Sequence, residues 1–174
     1  MKRTFSRAAL VVIFIVLAGC TDNRTETTCS ELYTSRLDRN DFSNLDGGIT
    51  LHKSSGLIFT RCAVGQRLIN FKCVGKPLRL NWDEAQSYVE EIAQKSGEGW
   101  RVPARTEMTK IFESRCINPA VNPYVFPNME VANYWTSSKR MSPEAFRCSV
   151  YSYQGAVYCR QSRKVEQPFL MVRD

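Results

Sequence analysis

The sequence predicts an α+β domain stapled by disulfides, on three observations. Six cysteines remain after an N-terminal leader and the Cys20 that follows it are set aside, an apolar stripe at helical spacing starts just after Asn81, and short strand-like runs lie on both sides of that stripe. The order of hairpin, two helices and then strands suits a small twisted antiparallel sheet rather than a parallel one.

The leader comes first. Lys2, Arg3 and Arg7 precede a short apolar run over residues 8–17, the layout of an export signal. Leu17-Ala18-Gly19-Cys20 then matches a lipobox, in which the small residues fit a peptidase and the thiol of Cys20 takes the lipid. A membrane-spanning helix needs about 20 apolar residues, and the polar segment after Cys20 ends this run too early. The expected organisation is a signal peptide over residues 1–19, a lipidated Cys20 with a polar tether over 20–45, and one domain over 46–174. Two or more acyl chains suffice for stable attachment, so the membrane is the first expected partner. Thr21 follows the cysteine where an Asp would resemble the inner-membrane retention signal of enteric bacteria. In a Gram-negative host this predicts an outer-membrane lipoprotein, on the surface or the periplasmic face.

Export changes the meaning of charge and cysteine. The formal net charge of +7 falls by three when Lys2, Arg3 and Arg7 leave with the leader. The remainder is too mild for a nucleic-acid binder, and no nucleic-acid partner is expected. Of seven cysteines, Cys20 is committed to lipid. Cys29, Cys62, Cys73, Cys116, Cys148 and Cys159 read as three disulfides in an oxidising compartment. Spacing favours Cys62–Cys73 and Cys148–Cys159 as local bridges, with Cys29–Cys116 by elimination. The chain has one histidine, His52, and no C-x-x-C pair, so neither a metal site nor a cofactor is expected.

The elements follow in order. Ile49-Thr50-Leu51-His52 and Leu57-Ile58-Phe59-Thr60 flank the turn-rich Lys53-Ser54-Ser55-Gly56 and predict a β-hairpin. Cys62 and Cys73 bracket a short basic loop. Asn81 with Glu84 three residues on forms a capping box, and Trp82, Ala85, Tyr88, Val89, Ile92 and Ala93 make one apolar stripe that ends at Gly97. A second helix is expected over about residues 105–114, burying Met108, Ile111 and Phe112. Residues 117–133 hold prolines and asparagines and predict an ordered loop. Strands are expected over 134–137, 147–151, 156–160 and 169–173, with Gln154-Gly155 as a turn.

Three segments in order resemble the domain at the C-terminus of the Legionella collagen-like adhesin. They are Gly99-Trp100-Arg101-Val102-Pro103-Ala104-Arg105-Thr106-Glu107-Met108, then Asn118-Pro119-Ala120-Val121-Asn122 with Phe126-Pro127-Asn128, then Tyr134-Trp135-Thr136-Ser137-Ser138. Asp46-Gly47-Gly48 and Ser55-Gly56-Leu57-Ile58-Phe59 resemble the opening hairpin of that family. The resemblance implies a C-type-lectin-like fold with a core similar to that of formylglycine-generating enzymes, and a glycan-binding, adhesive role. Ala104 stands where a threonine is usual. The missing hydroxyl should weaken the start of the second helix by about 1 kcal/mol.

Catalysis finds little support. A hydroxyl nucleophile needs a base, and only His52, in a hairpin expected at the surface, could serve. The cysteines are better used in bridges. Asn128, Glu130 and Asn133 offer oxygen ligands for calcium, but the W-N-D signature of sugar-binding lectins is absent. The remaining signal is charge: residues 139–164 hold Lys139, Arg140, Arg147, Arg160, Arg163 and Lys164 against Glu144 alone. With Tyr151, Tyr153 and Tyr158 nearby, Arg147, Arg160, Arg163 and Lys164 are the expected ligand-binding residues for an anionic polysaccharide, none of them in the core. The expected function is therefore a non-catalytic envelope lipoprotein acting as a binding or adhesion module for an anionic glycan or a protein partner. The alternative is a periplasm-facing accessory or inhibitor lipoprotein of an envelope complex.

Overall fold

The computed structural model describes residues 26–35, 41–139 and 144–174. The leader, Cys20 and Arg140 lie outside the described residues. The first half holds α1 (Cys29–Leu32), β1 (Phe42–Leu45), β2 (Ile49–His52), β3 (Ile58–Thr60), β4 (Arg67–Ile69), β5 (Lys72–Val74) and α2 (Trp82–Ser96). The second holds α3 (Arg105–Met108), β6 (Asn133–Lys139), β7 (Phe146–Tyr151), β8 (Ala156–Ser162) and β9 (Val172–Arg173).

The strands form three antiparallel sheets instead of the one expected: β1-β2-β3-β9, the ribbon β4-β5, and β6-β7-β8. Three other expectations change with them. Part of the stretch read as tether is folded, since β1 pairs with β2, and Cys29 and Tyr33 are buried against Cys116. The loop between Cys62 and Cys73 contains most of the β4-β5 ribbon. The last strand shortens to two residues, because Phe169 and Leu170 leave the sheet to fill the core.

The long helix begins where the capping box places it. The Asn81 side chain accepts from the backbone N–H groups of Asp83 and Glu84, each at 3.1 Å. Gly97, at φ 69°, ends it in the left-handed conformation that a glycine adopts without a Cβ penalty. Trp82, Ala85 and Val89 are buried against Val102, Trp135 and Phe169, and each large apolar side chain so buried stabilises the fold by about 1.5–3 kcal/mol. Tyr88 remains partly exposed and meets Phe169 edge-on at 6.3 Å.

The second helix has one α turn and continues as a 3-10 turn over Thr109–Ile111, so it is shorter than expected. Ala104 supplies no cap, and Glu107 supplies one in its place. Its carboxylate accepts from the Ala104 N–H at 2.7 Å and from both terminal nitrogens of Arg101, at 2.6 and 2.9 Å. Burial raises the pKa of Glu107, but the bonds from Arg101 and the Ala104 N–H, with the charges of Arg101 and Lys110, together hold the group below its ordinary value.

Three disulfides close the domain: Cys62–Cys73 and Cys148–Cys159, the local pairs expected from spacing, and Cys29–Cys116, the pair reached by elimination. A larger core joins Phe59, Met108, Ile111, Phe126, Tyr134, Val150 and Leu170 between the first and third sheets. Among the described residues, no helix is long and apolar enough to cross a membrane.

Candidate ligand-binding site

The basic face expected over residues 139–164 does not assemble as one patch. Arg147 is only 6% exposed, and its guanidinium carbon stands 4.5 Å from the centroid of the Trp82 indole. The reason is local. The register of β7 against β8 shifts between Arg147 and Ser149, and α2 delivers Trp82 to the same place, fixed by its Nε1 donating to the Thr136 carbonyl at 2.7 Å. Arg147 also donates to the carbonyls of Glu144 and Phe146. It is a packing residue, contrary to the expectation that it lies on the surface. Lys139 lies 6.0 Å from the same indole.

Arg163 is also engaged. It donates through Nε at 2.7 Å and pairs through its terminal nitrogen at 2.5 Å with Asp83, while its carbonyl accepts from the Trp82 N–H. This ties the strand end to the start of α2. Of the four expected ligand-binding residues, Arg160 and Lys164 are exposed and have no acidic partner among the described residues.

Arg160 belongs to a groove that charge counting alone does not reveal. Asn133, Tyr151, Tyr158, Arg160 and Gln161 line a cavity of about 360 Å³ on the third sheet. Sheet register brings them together: Asn133 stands opposite Tyr151, and Ser149 opposite Tyr158. Tyr158 is 47% exposed, and Tyr151 stacks on Tyr153 with ring centroids 6.1 Å apart. The groove therefore offers aromatic faces, amide donors and acceptors, and one unengaged guanidinium. Tyr151, Tyr158 and Arg160 were legible in the sequence. Asn133 was read only as a calcium-ligand candidate and Gln161 not at all, because their place here comes from strand pairing across the sheet.

A larger cavity of about 810 Å³ lies between the β4-β5 ribbon and α2, bordered by Leu45, Arg67, Leu68, Phe71, Tyr88 and Ile92.

His52 is buried, which corrects its expected surface position. Its Nδ1 lies 2.8 Å from the Ser55 hydroxyl and its Nε2 3.4 Å from the Asp41 carboxylate, with Phe42 edge-on at 5.0 Å. These groups close the turn between β2 and β3. The N–H groups of Ser55 and Gly56 donate to the His52 carbonyl, and Asp41 also binds the Ser54 hydroxyl and N–H. Burial lowers the imidazole pKa despite the nearby Asp41. His52 borders neither groove.

Two of the three calcium candidates have other partners. Glu130 pairs with Arg79 at 2.5 Å, and Asn133 lies 3.5 Å from the Ser149 hydroxyl. Among the described residues, no group of three or more His, Cys, Asp or Glu comes together in a way that could hold a metal ion.

Residues 48–173 match the family model of the Lcl C-terminal domain. The chain belongs to the Lcl C-terminal domain family. No curated protein and no solved structure matches it. The match starts at Gly48, just before β2, and runs through β9, so it includes the tyrosine-lined groove, the β4-β5 ribbon and both short disulfides. Membership in the Lcl C-terminal domain family suggests an adhesion-related module.

Proposed function

We propose that this chain is a non-catalytic envelope lipoprotein, anchored through Cys20 in the outer membrane, whose domain binds an anionic glycan in the groove of the third sheet. The lipobox over residues 17–20 supports the anchor. The segments around Trp100, Asn118 and Trp135 support a C-type-lectin-like arrangement by resemblance.

The observation that carries the ligand class is Tyr151 and Tyr158 beside the unengaged Arg160. The C–H face of a sugar ring packs on a tyrosine ring, and a guanidinium meets sulfate or carboxylate with two parallel hydrogen bonds. Asn133 and Gln161 add the paired donors and acceptors that hydroxyls need. One such site is weak, and many anchored copies on one surface strengthen the attachment through avidity.

The test is retention of the protein on dextran sulfate at low and high salt. Arg160→Ser with Tyr158→Ala should lower retention at least about tenfold at low salt, in keeping with one lost charge-assisted bond. The wild type should lose retention as salt screens the exposed charge. Equal retention of the two proteins would contradict this assignment.

A further inference from the structure

The β4-β5 ribbon carries a second surface that the glycan groove does not use. Between residues 47 and 82 the chain contains no Asp or Glu, while Lys53, Arg61, Arg67, Lys72, Lys76 and Arg79 all fall there. Lys53 lies in the turn between β2 and β3, away from the ribbon, Arg61 is buried and donates to the carbonyls of Tyr124 and Val125, and Arg79 pairs with Glu130. Arg67, Lys72 and Lys76 are left on or beside the ribbon with no acidic partner among the described residues.

The ribbon is two-faced. Leu68 and Cys73 stand opposite each other on one side, which the Cys62–Cys73 bridge and the close approach of Leu68 to Gly48 hold to the body. The other side alternates apolar and cationic groups: Arg67 opposite Val74, and Ile69 opposite Lys72. Ile69 and Val74 are each 50% exposed, and Phe71 at the tip is 60% exposed. The ribbon pairs with no further strand of the described residues.

The tip is also held against backbone preference. Asn70 at φ 48° and Phe71 at φ 62° both occupy the left-handed region, the pattern of a turn whose second position favours glycine. A bulky aromatic there costs conformational energy. The fold would close this turn more easily with glycine, and the sequence keeps an exposed aromatic there instead.

We infer that the β4-β5 tip docks into a lipid bilayer surface carrying anionic headgroups. Phe71, Ile69 and Val74 would enter the interfacial region, and Arg67, Lys72 and Lys76 would meet the phosphates. The charge of the segment is complementary to such a surface. Three exposed apolar side chains on a narrow two-stranded ribbon fit a fluid interface, which closes around them. A polysaccharide rewards the cations but not the exposed isoleucine and valine. The consequence is orientation: a docked ribbon fixes the domain against the membrane.

The test uses the full chain reconstituted in phosphatidylcholine vesicles with and without phosphatidylglycerol, their acyl chains brominated as quenchers. Phe71→Trp is the reporter, and the parent chain gives the background from Trp82, Trp100 and Trp135. Excess quenching should appear in the phosphatidylglycerol vesicles and fall away in pure phosphatidylcholine or high salt. Adding Arg67→Ser and Lys72→Ser should lower the docked-to-free ratio by roughly thirtyfold, the effect of two headgroup-facing cations. Thermal melting of each variant establishes that it is folded. Three results would each overturn the inference: no excess quenching in anionic vesicles, equal quenching in both lipids, or a vesicle-independent blue shift that grows with protein concentration, which would identify a second copy as the occupant.

Discussion

Two disulfides in this domain span the same sequence separation of 11 residues, yet the loops they close behave differently. The Cys148–Cys159 loop contains no charged residue and holds Tyr151, Tyr153 and Tyr158. Its bridge links adjacent strands of a three-stranded sheet whose inner residues, Cys148 and Val150, are buried. The Cys62–Cys73 loop contains Arg67 and Lys72, and its bridge holds a ribbon that pairs with no other strand of the described residues. Spacing alone does not set what a staple contributes. Where the core supplies pairing, the bridge adds rigidity to a site, and where it does not, the bridge is a main attachment of an exposed element.

The largest expected effect sharpens that contrast. Loop entropy alone gives each bridge roughly 3 kcal/mol. Cys148→Ser with Cys159→Ser should cost at least that much in urea denaturation, since it also places two hydroxyls in the packed sheet. Cys62→Ser with Cys73→Ser should cost less and raise amide exchange mainly in the ribbon. Equal losses with identical exchange patterns would break the comparison.

Turn chemistry comes next. An alanine Cβ at Gly155, φ 73°, would lie 2.7 Å from the Phe112 Cβ, so Gly155→Ala should destabilise by about 2 kcal/mol. Phe71→Gly at the other tip should stabilise by up to about 1 kcal/mol by relieving the left-handed backbone. Thermal melts of the two variants should therefore move in opposite directions.

The arginines separate in the same way. Arg147→Ala removes a buried side chain stacked on Trp82 and should cost about 1–2 kcal/mol. Arg160→Ala should change stability by less than about 0.5 kcal/mol. A melt in which the two variants coincide would contradict the division into packing and ligand roles.

The smallest effect is on pH dependence. Burial holds His52 below its ordinary pKa of 6.5, so the unfolded chain takes up the proton first as pH falls through 6.5. Stability should therefore decline from that point downward, by at most about 1.4 kcal/mol per pH unit. His52→Gln should flatten that limb in stability measured between pH 7 and 5.

Much of the architecture was legible in the residues. Asn81, Glu84 and Gly97 mark α2 by local chemistry, and the turn Gln154-Gly155 joins β7 to β8, the two strands that carry Cys148 and Cys159. Less legible was everything set by distant partners. Arg147 reads as a surface cation until Trp82 arrives from the helix. His52 reads as exposed until Asp41 and Phe42, in a segment of polar composition, fold over it. The ribbon was hidden because its turn uses Asn70-Phe71 in place of a glycine pair. The groove itself is a product of register, which places Asn133 across from Tyr151.

The central claim is that ligand meets the tyrosine groove and not the cationic ribbon. The direct measurement is an NMR titration of the folded protein with a sulfated oligosaccharide, following side-chain and amide signals. The account predicts perturbations confined to Asn133, Tyr151, Tyr158, Arg160 and Gln161, lost in Tyr158→Ala with Arg160→Ser. Shifts centred on Arg67, Lys72 and Phe71, with the groove silent, would contradict it.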